Sequence, residues 1–294
     1  MASVQANGIT IEYDEQGSGQ PLLLVMGLGG QLTDWPQGFV DLVSDRGFRV
    51  IRFDNRDSGL STEFAGPAPT TWQLAQAALF RRPLASEYRL SDMADDAAAL
   101  LATIDVDSAH VVGMSMGGMI AQMIAIQHPH RVRSLTSIMS TTGSRKVGQP
   151  TKRLIAKFVC RKPGTRATAI DDAVETFRDV CGPTFDETEF RELAKASTER
   201  SFRPNGTARQ MAAILVSGGR TDELARLDVP TLVVHGLLDP LVRPTGGIAT
   251  ADAVPGSRLL MFNDMAHDLP RTRWVEMADA ISQNAARAAV VATA

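Results

Sequence analysis

The chain has 294 residues, of which 44% are hydrophobic and 21% charged, values typical of a globular protein with a sizeable core. Its formal net charge of −3 gives no electrostatic reason to expect nucleic acid as a partner. No apolar run approaches the roughly 20 residues of a membrane span, and the N-terminus lacks the pattern of a signal peptide. Cys160 and Cys181 form neither a disulfide framework nor a zinc site. We therefore expect a cytoplasmic protein with reduced cysteines.

Apolar runs bounded by turn residues predict seven strands, and helical patterns separate most of them. The predicted strands are GITIEYDEQG from Gly8, PLLLVMG from Pro21, FRVIRFD from Phe48, AHVVGMS from Ala109, VRSLTSIMS from Val132, TLVVHG from Thr231 and RLLMFND from Arg258. The predicted helices beside them are WPQGFVDLVSDRG, SDMADDAAALLATI with Ser91 as its N-cap, GGMIAQMIAIQHP and TRWVEMADAISQNAARAAV. Nearly all-apolar strands that alternate with helices indicate an α/β fold with a mainly parallel sheet covered on both faces.

The alternation is interrupted once, over residues 143–226. Four helical patterns and no convincing strand occur there, and the segment carries 16 Lys and Arg residues against 11 Asp and Glu residues. We predict a helical cap over residues 143–226, inserted into a core formed by residues 1–142 and 227–294. The proline-rich segment from Thr62 to Arg89 is expected to be a second, less regular insertion.

The pentapeptide GMSMG, from Gly113 to Gly117, joins a predicted buried strand to a predicted helix. This context is the one that a G-x-S-x-G nucleophile elbow requires, with the serine hydroxyl at the helix N-terminus. The same glycines could also serve only to pack the helix against the sheet. The remaining residues favour chemistry, and Ser115 is the candidate nucleophile.

A serine nucleophile needs a base, and the base needs an acid that orients it. His267 lies between the last strand and the last helix, where a base following the nucleophile is expected. Asp239 lies in the loop after the preceding strand, and Pro240 stiffens that loop. His110, His128 and His130 lie close to the elbow in sequence and are interpreted as structural.

An oxyanion would need two N–H donors. One should be Met116, the residue directly after Ser115. The second should come from the glycine-rich turn MGLGG, where Leu28 is the candidate donor. This turn contains neither of the common phosphate-binding glycine motifs, which weakens a nucleotide-binding interpretation.

The motifs VMGLGG, FDNRDSGLS, GMSMGG, HGLLDPLV and MAHDLP resemble, in order and spacing, the alpha/beta-hydrolase fold superfamily. The segments DWP and RFDNRDSGLS and the terminal H-x-L-P are similar to the branch of aclacinomycin methylesterase and related actinobacterial esterases. This resemblance implies a triad of Ser115, Asp239 and His267, with Leu28 and Met116 as the oxyanion hole. Asp54 and Arg56 are expected to be structural.

The expected activity is hydrolysis of carboxylic esters of small molecules through an acyl-enzyme, without a cofactor or a metal ion. A cofactor-free haloperoxidase or perhydrolase, or a carbon–carbon bond hydrolase, would use the same triad. A non-enzymatic ligand-binding module is the alternative from another class, although such scaffolds often lose a triad member. The sequence leaves the substrate-binding residues and the choice between monomer and homodimer open.

Overall fold

The computed structural model describes residues 1–160 and 164–291 and contains one eight-stranded sheet in that part of the chain. The strands are β1 (Ala2–Ala6), β2 (Ile9–Gln16), β3 (Gln20–Val25), β4 (Phe48–Phe53), β5 (Ala109–Met114), β6 (Val132–Ile138), β7 (Thr231–Gly236) and β8 (Arg258–Phe262). Their spatial order is β1-β2-β4-β3-β5-β6-β7-β8. β2 pairs antiparallel with both β1 and β4, and all the other neighbouring strands pair parallel, which agrees with the predicted mainly parallel sheet.

Helices cover both faces of this sheet and also fill the interval between β6 and β7. They are α1 (Gln37–Ser44), α2 (Thr71–Phe80), α3 (Leu90–Thr103), α4 (Met116–Gln127), α5 (Lys152–Cys160), α6 (Ala169–Val180), α7 (Glu187–Arg200), α8 (Pro204–Ser217), α9 (Thr221–Leu224), α10 (Thr245–Ala253) and α11 (Trp274–Val291). The architecture confirms the predicted α/β fold. The predicted division into a core and a cap of residues 143–226 stays a prediction, although the chain leaves and returns side by side, with the Arg220 N–H bonded to the Thr142 carbonyl at 2.8 Å.

Side chains of the central strands divide between two apolar layers, one on each face of the sheet. In β3, Leu23 and Val25 join the layer under α3 and α4, whereas Leu22 and Leu24 join the layer under α1 and α11. Successive side chains of a strand point to opposite faces, so a continuous apolar run fills both layers. β5 lies next to β3 in the middle of the sheet and is almost entirely buried, so its exit turn starts from a firmly packed strand.

One local prediction was wrong and another was incomplete. Helix α3 begins at Leu90 with Arg89 in the N-cap position, so Ser91 lies inside the first turn and is not the cap. The Asp92 carboxylate accepts the Arg89 N–H at 2.6 Å and closes the helix end instead. The segment from Thr62 to Arg89 is also more regular than predicted, because α2 lies within it and is capped by the Thr70 side chain.

Candidate active site

The turn between β5 and α4 holds Ser115 in a strained backbone conformation, with φ of 55° and ψ of −120°. Its N–H donates to the Ile138 carbonyl at 2.9 Å, which ties the turn to the neighbouring strand β6. Neither flanking glycine could carry a side chain. A Cβ on Gly113 would lie 2.1 Å from the Gly117 carbonyl oxygen, and one on Gly117 would lie 2.0 Å from that of Val25. Gly113 and Gly117 therefore serve both purposes, since they let α4 pack closely against the sheet and let the turn present Ser115.

The structure brings the three predicted side chains of the triad together, although they come from three separate loops. His267 Nε2 lies 3.0 Å from Ser115 Oγ, and His267 Nδ1 lies 2.7 Å from Asp239 Oδ2. The other carboxylate oxygen of Asp239 accepts the N–H groups of Leu241 and Val242 at 2.9 and 2.8 Å. Each loop follows a parallel strand, and the carboxyl ends of these strands meet at one edge of the sheet.

The charge state of the acid depends on two histidines. Burial raises the pKa of Asp239, but the charge and hydrogen bond of His267 and the hydrogen bond of His235 outweigh it and lower that pKa to about 2. Asp239 is therefore ionised at neutral pH and able to hold an N–H on His267 Nδ1. With Nδ1 protonated, His267 Nε2 carries the lone pair that faces the Ser115 hydroxyl.

His235 is a neighbour of the acid to which sequence reasoning assigned no role. It is completely buried, and its Nε2 donates to the Val242 carbonyl at 2.7 Å while lying 3.5 Å from Asp239 Oδ2. Its Nδ1 has no hydrogen-bond partner among the residues that the structure describes. The spacing of four residues in HGLLD is the only sequence signal for this contact, and it is too common to be specific.

Both candidate oxyanion donors lie beside the serine. Met116 is the first residue of α4, and Leu28 follows Gly27, on which a Cβ would lie 3.3 Å from that of Ser115. In the described part of the chain neither the Leu28 N–H nor the Met116 N–H has an acceptor. Two free N–H groups next to a hydroxyl can stabilise an oxyanion.

The turn that contains Leu28 is held by side chains of the loop after β4. The contacts are Asn55 Nδ2 to the Met26 carbonyl at 3.0 Å, Ser58 Oγ to the Gly30 carbonyl at 2.6 Å, and the Leu32 N–H to Asp54 Oδ1 at 2.7 Å. Asp54 also pairs with Arg200, at 2.8 Å. The expected structural role of Asp54 is thus met by contacts to this turn.

Arg56 stabilises the same loop from the other side. Its guanidinium makes a two-point contact with the buried Asp96 carboxylate at 2.6 and 2.7 Å, and lies over the rings of Phe64 and Tyr88. Such a planar two-point contact is one that lysine could not replace. Arg56 is not among the residues that line the cleft around Ser115, and its contacts stabilise the loop.

The histidines near the elbow in sequence are not brought to the serine. His110 is buried and bonds Ser134 and Gln20, both at 2.8 Å, and burial, with the charge of Arg133, lowers its pKa to about 4. His128 instead contacts Asp95 at 2.7 Å, on the surface of α3. The interpretation of both as structural agrees with these contacts.

A cleft of about 2430 Å³ lies between the cap segment and the carboxyl edge of the sheet, and Ser115 and His267 open into it. Helices α5 to α8 contribute apolar and aromatic side chains to its walls, among them Ile155, Phe158, Phe177, Val180, Phe190 and Met211. Met116 and Met119 also line the cleft, and both belong to the apolar layer under α3 and α4. Trp35 also borders the cleft, and it is buried together with Phe39 in the apolar layer under α1 and α11.

Within the described ranges, no group of three or more His, Cys, Asp or Glu side chains could hold a metal ion. Likewise, no helix among these residues has the length and apolar character needed to cross a bilayer. Cys181 is a free thiol that lines the cleft, and burial, together with the Asp268 and Asp239 charges, raises its pKa. The side chain of Cys160 lies outside the described part of the chain.

Comparison with known proteins places the chain in a family. Residues 20–270 match the sequence profile of the alpha/beta hydrolase fold. Rhodomycin D methylesterase DauP of Streptomyces sp. (strain C5) is 31% identical, and DnrP of Streptomyces peucetius is 29% identical, each match covering 92% of both chains. The solved structure of a meta-cleavage product hydrolase from Pseudomonas fluorescens IP01 matches 99% of this chain and 98% of its own, with a TM-score of 0.73 and 19% identity, which shows the fold. The chain belongs to the alpha/beta hydrolase fold family.

Proposed function

We propose that the protein hydrolyses carboxylic esters, with Ser115 as the nucleophile. The observation that carries the proposal is the unbroken chain of hydrogen bonds from Asp239 through His267 to Ser115 Oγ, ending at the wall of a large cleft. Relatives that match 92% of the chain are methylesterases by name, which supports the same reaction class.

In the proposed mechanism, His267 Nε2 removes the Ser115 proton while Oγ attacks the ester carbonyl. The Asp239 carboxylate stabilises the imidazolium that forms, and the N–H groups of Leu28 and Met116 bind the developing oxyanion. The imidazolium then protonates the departing alcohol, leaving an acyl group on Ser115. Water, deprotonated by the same histidine, attacks that acyl group and releases the acid, so one ester and one water yield one acid and one alcohol.

The cleft supports a substrate with a large ring-bearing acyl part, and the methylesterase names of the two relatives support methanol as the alcohol part. Its volume of about 2430 Å³ far exceeds what a short-chain ester would fill. In its wall the rings of Phe177 and Phe190 stack with their centroids 4.1 Å apart. Aromatic walls favour flat ring systems through burial and stacking. We therefore propose methyl esters of polycyclic aromatic acids as the substrate class.

The test compares Ser115→Ala with wild type on p-nitrophenyl butyrate and on the methyl ester of a polycyclic aromatic acid. Wild type should release the alcohol from both esters, and the variant should lose at least about 10³-fold in kcat. Ser108→Ala is the matched control, since Ser108 lies at the opposite end of β5 and its side chain binds Arg133. Turnover that survives in a folded Ser115→Ala protein would exclude the proposed nucleophile.

Two further substrates, compared with the same esters, separate the alternative activities that the sequence leaves open. A perhydrolase would form peracid from acetate and hydrogen peroxide faster than it hydrolyses either ester. A carbon–carbon bond hydrolase would cleave a vinylogous diketone and leave the methyl ester intact.

A further inference from the structure

The turn that carries Leu28 is bonded to a side chain that comes from the cap segment and is distant in sequence. Gln210, in α8, is completely buried, and its Oε1 accepts the Gly29 N–H at 2.8 Å. Its Nε2 donates to the Arg56 carbonyl at 2.7 Å. One amide therefore links the turn to the loop after β4, and the two contacts use its acceptor and its donor.

Close contacts between the turn and α8 restrict the position of this helix. Gly29 adopts a positive φ of 69°, and a Cβ on it would lie 2.9 Å from Thr207 Oγ1, one turn before Gln210. Beside Gln210, the Arg209 guanidinium makes a two-point contact with the buried Asp57 carboxylate, at 2.8 Å for each bond. A buried ion pair and a tight backbone approach thus hold the glutamine in place against the turn.

The peptide group between Leu28 and Gly29 follows the Leu28 N–H directly. Fixing the Gly29 N–H fixes the plane of that peptide and so restricts the ψ angle of Leu28. Asn55 and Ser58 fix the carbonyls of Met26 and Gly30 on either side, as described above. The Leu28 N–H is then aimed by a turn whose neighbouring polar groups are already bonded.

We propose that Gln210 is a positioning residue of the oxyanion hole: it sets the direction of the Leu28 N–H from the cap segment, without touching the substrate. This role rests on the proposed function. The oxyanion hole then depends on the position of α8, because the Leu28 N–H loses its orientation when the bond between Gln210 and the Gly29 N–H is broken. Misdirection of one donor should affect the transition state much more than substrate binding.

The test uses Gln210→Met, which is similar in length but has neither the acceptor nor the donor. We expect kcat to fall about 10- to 100-fold while KM changes less than about threefold, since donor positioning acts on the transition state. Affinity for a phenylboronic acid should fall in parallel with kcat, because its tetrahedral serine adduct places an oxygen between the oxyanion donors. Gln210→Glu keeps an acceptor for the Gly29 N–H, and with its other carboxyl oxygen protonated it can also donate to the Arg56 carbonyl, so it should recover most of both losses.

Gln122→Met is the matched control, because Gln122 is equally buried but bonds Ser137 and Arg220. It should lower thermal stability and leave kcat and boronic acid affinity near wild type. If Gln210→Met retains both values, or Gln210→Glu recovers neither, the positioning role is wrong even where Ser115→Ala is inactive. If Ser115→Ala remains active, the proposed function itself fails, which is a separate outcome.

Discussion

Replacement of Asp239 by asparagine tests the electrostatics of the site through both stability and rate. In the folded protein the pKa of Asp239 is lowered from 3.8 to about 2, with His267 and His235 outweighing the effect of burial. At about 1.4 kcal/mol per pKa unit, the ionised carboxylate contributes about 2 kcal/mol to folding. Because the folded pKa is the lower one, this contribution is fully present above pH 4 and is lost as the pH falls through 2.

The measurement is urea unfolding of wild type and Asp239→Asn at pH 6, 4, 3 and 2. The difference in unfolding free energy between the two proteins should shrink by about 2 kcal/mol between pH 6 and pH 2, because only wild type has a carboxylate to protonate. At pH 7 the variant should also lose about 10³- to 10⁴-fold in kcat, since asparagine no longer stabilises the charged imidazole of His267. A difference that stays constant with pH would show that the two histidines do not depress the pKa of Asp239.

Three further substitutions test the packing around the site. Gly117→Ala should lower the free energy of unfolding by at least about 3 kcal/mol, because the added Cβ would lie 2.0 Å from the Val25 carbonyl oxygen. Gly219→Ala is the control in thermal unfolding, because the nearest atoms to its added Cβ would lie at 3.4 Å. Arg56→Ala should lower the free energy of unfolding, measured in urea, by about 3–5 kcal/mol, because it leaves the buried Asp96 carboxylate without its partner. Arg49→Ala breaks a partly exposed pair with Glu15 and should lower the same free energy by less than about 1 kcal/mol. Phe190→Ala should raise KM for a polycyclic methyl ester but not for p-nitrophenyl acetate, and Phe80→Ala, an exposed side chain outside the cleft, should change neither. Equal effects within any of these pairs would contradict the packing argument.

The sequence was sufficient for the sheet and for the order of the three site residues because both depend on short-range patterns. An apolar run such as LLLV is buried on both faces only inside a parallel sheet, and parallel strands direct their following loops to a common edge. Ser115, Asp239 and His267 each follow such a run. Their convergence could therefore be inferred without any knowledge of the contacts between the loops.

Contacts across large sequence separations gave no such signal. Gln210 is 181 residues from Gly29, and although Gly29 belongs to the MGLGG turn, nothing in the sequence distinguishes Gln210 from an ordinary helical glutamine. The contact between His235 and the acid was missed for the related reason that the direction of a strand-end side chain depends on neighbouring elements. Helix α2 was missed although its capping signal, Thr70 followed by Gln73, is local, because three nearby prolines favoured an irregular loop.

The cap segment is bonded to both sides of the candidate site, and this constrains how a substrate could enter. At the end of α6 the Val180 carbonyl accepts the His267 N–H at 2.9 Å, and in α8 Gln210 accepts the Gly29 N–H at 2.8 Å. Movement of the whole segment away from the sheet would break both contacts and disturb the base and the oxyanion turn together.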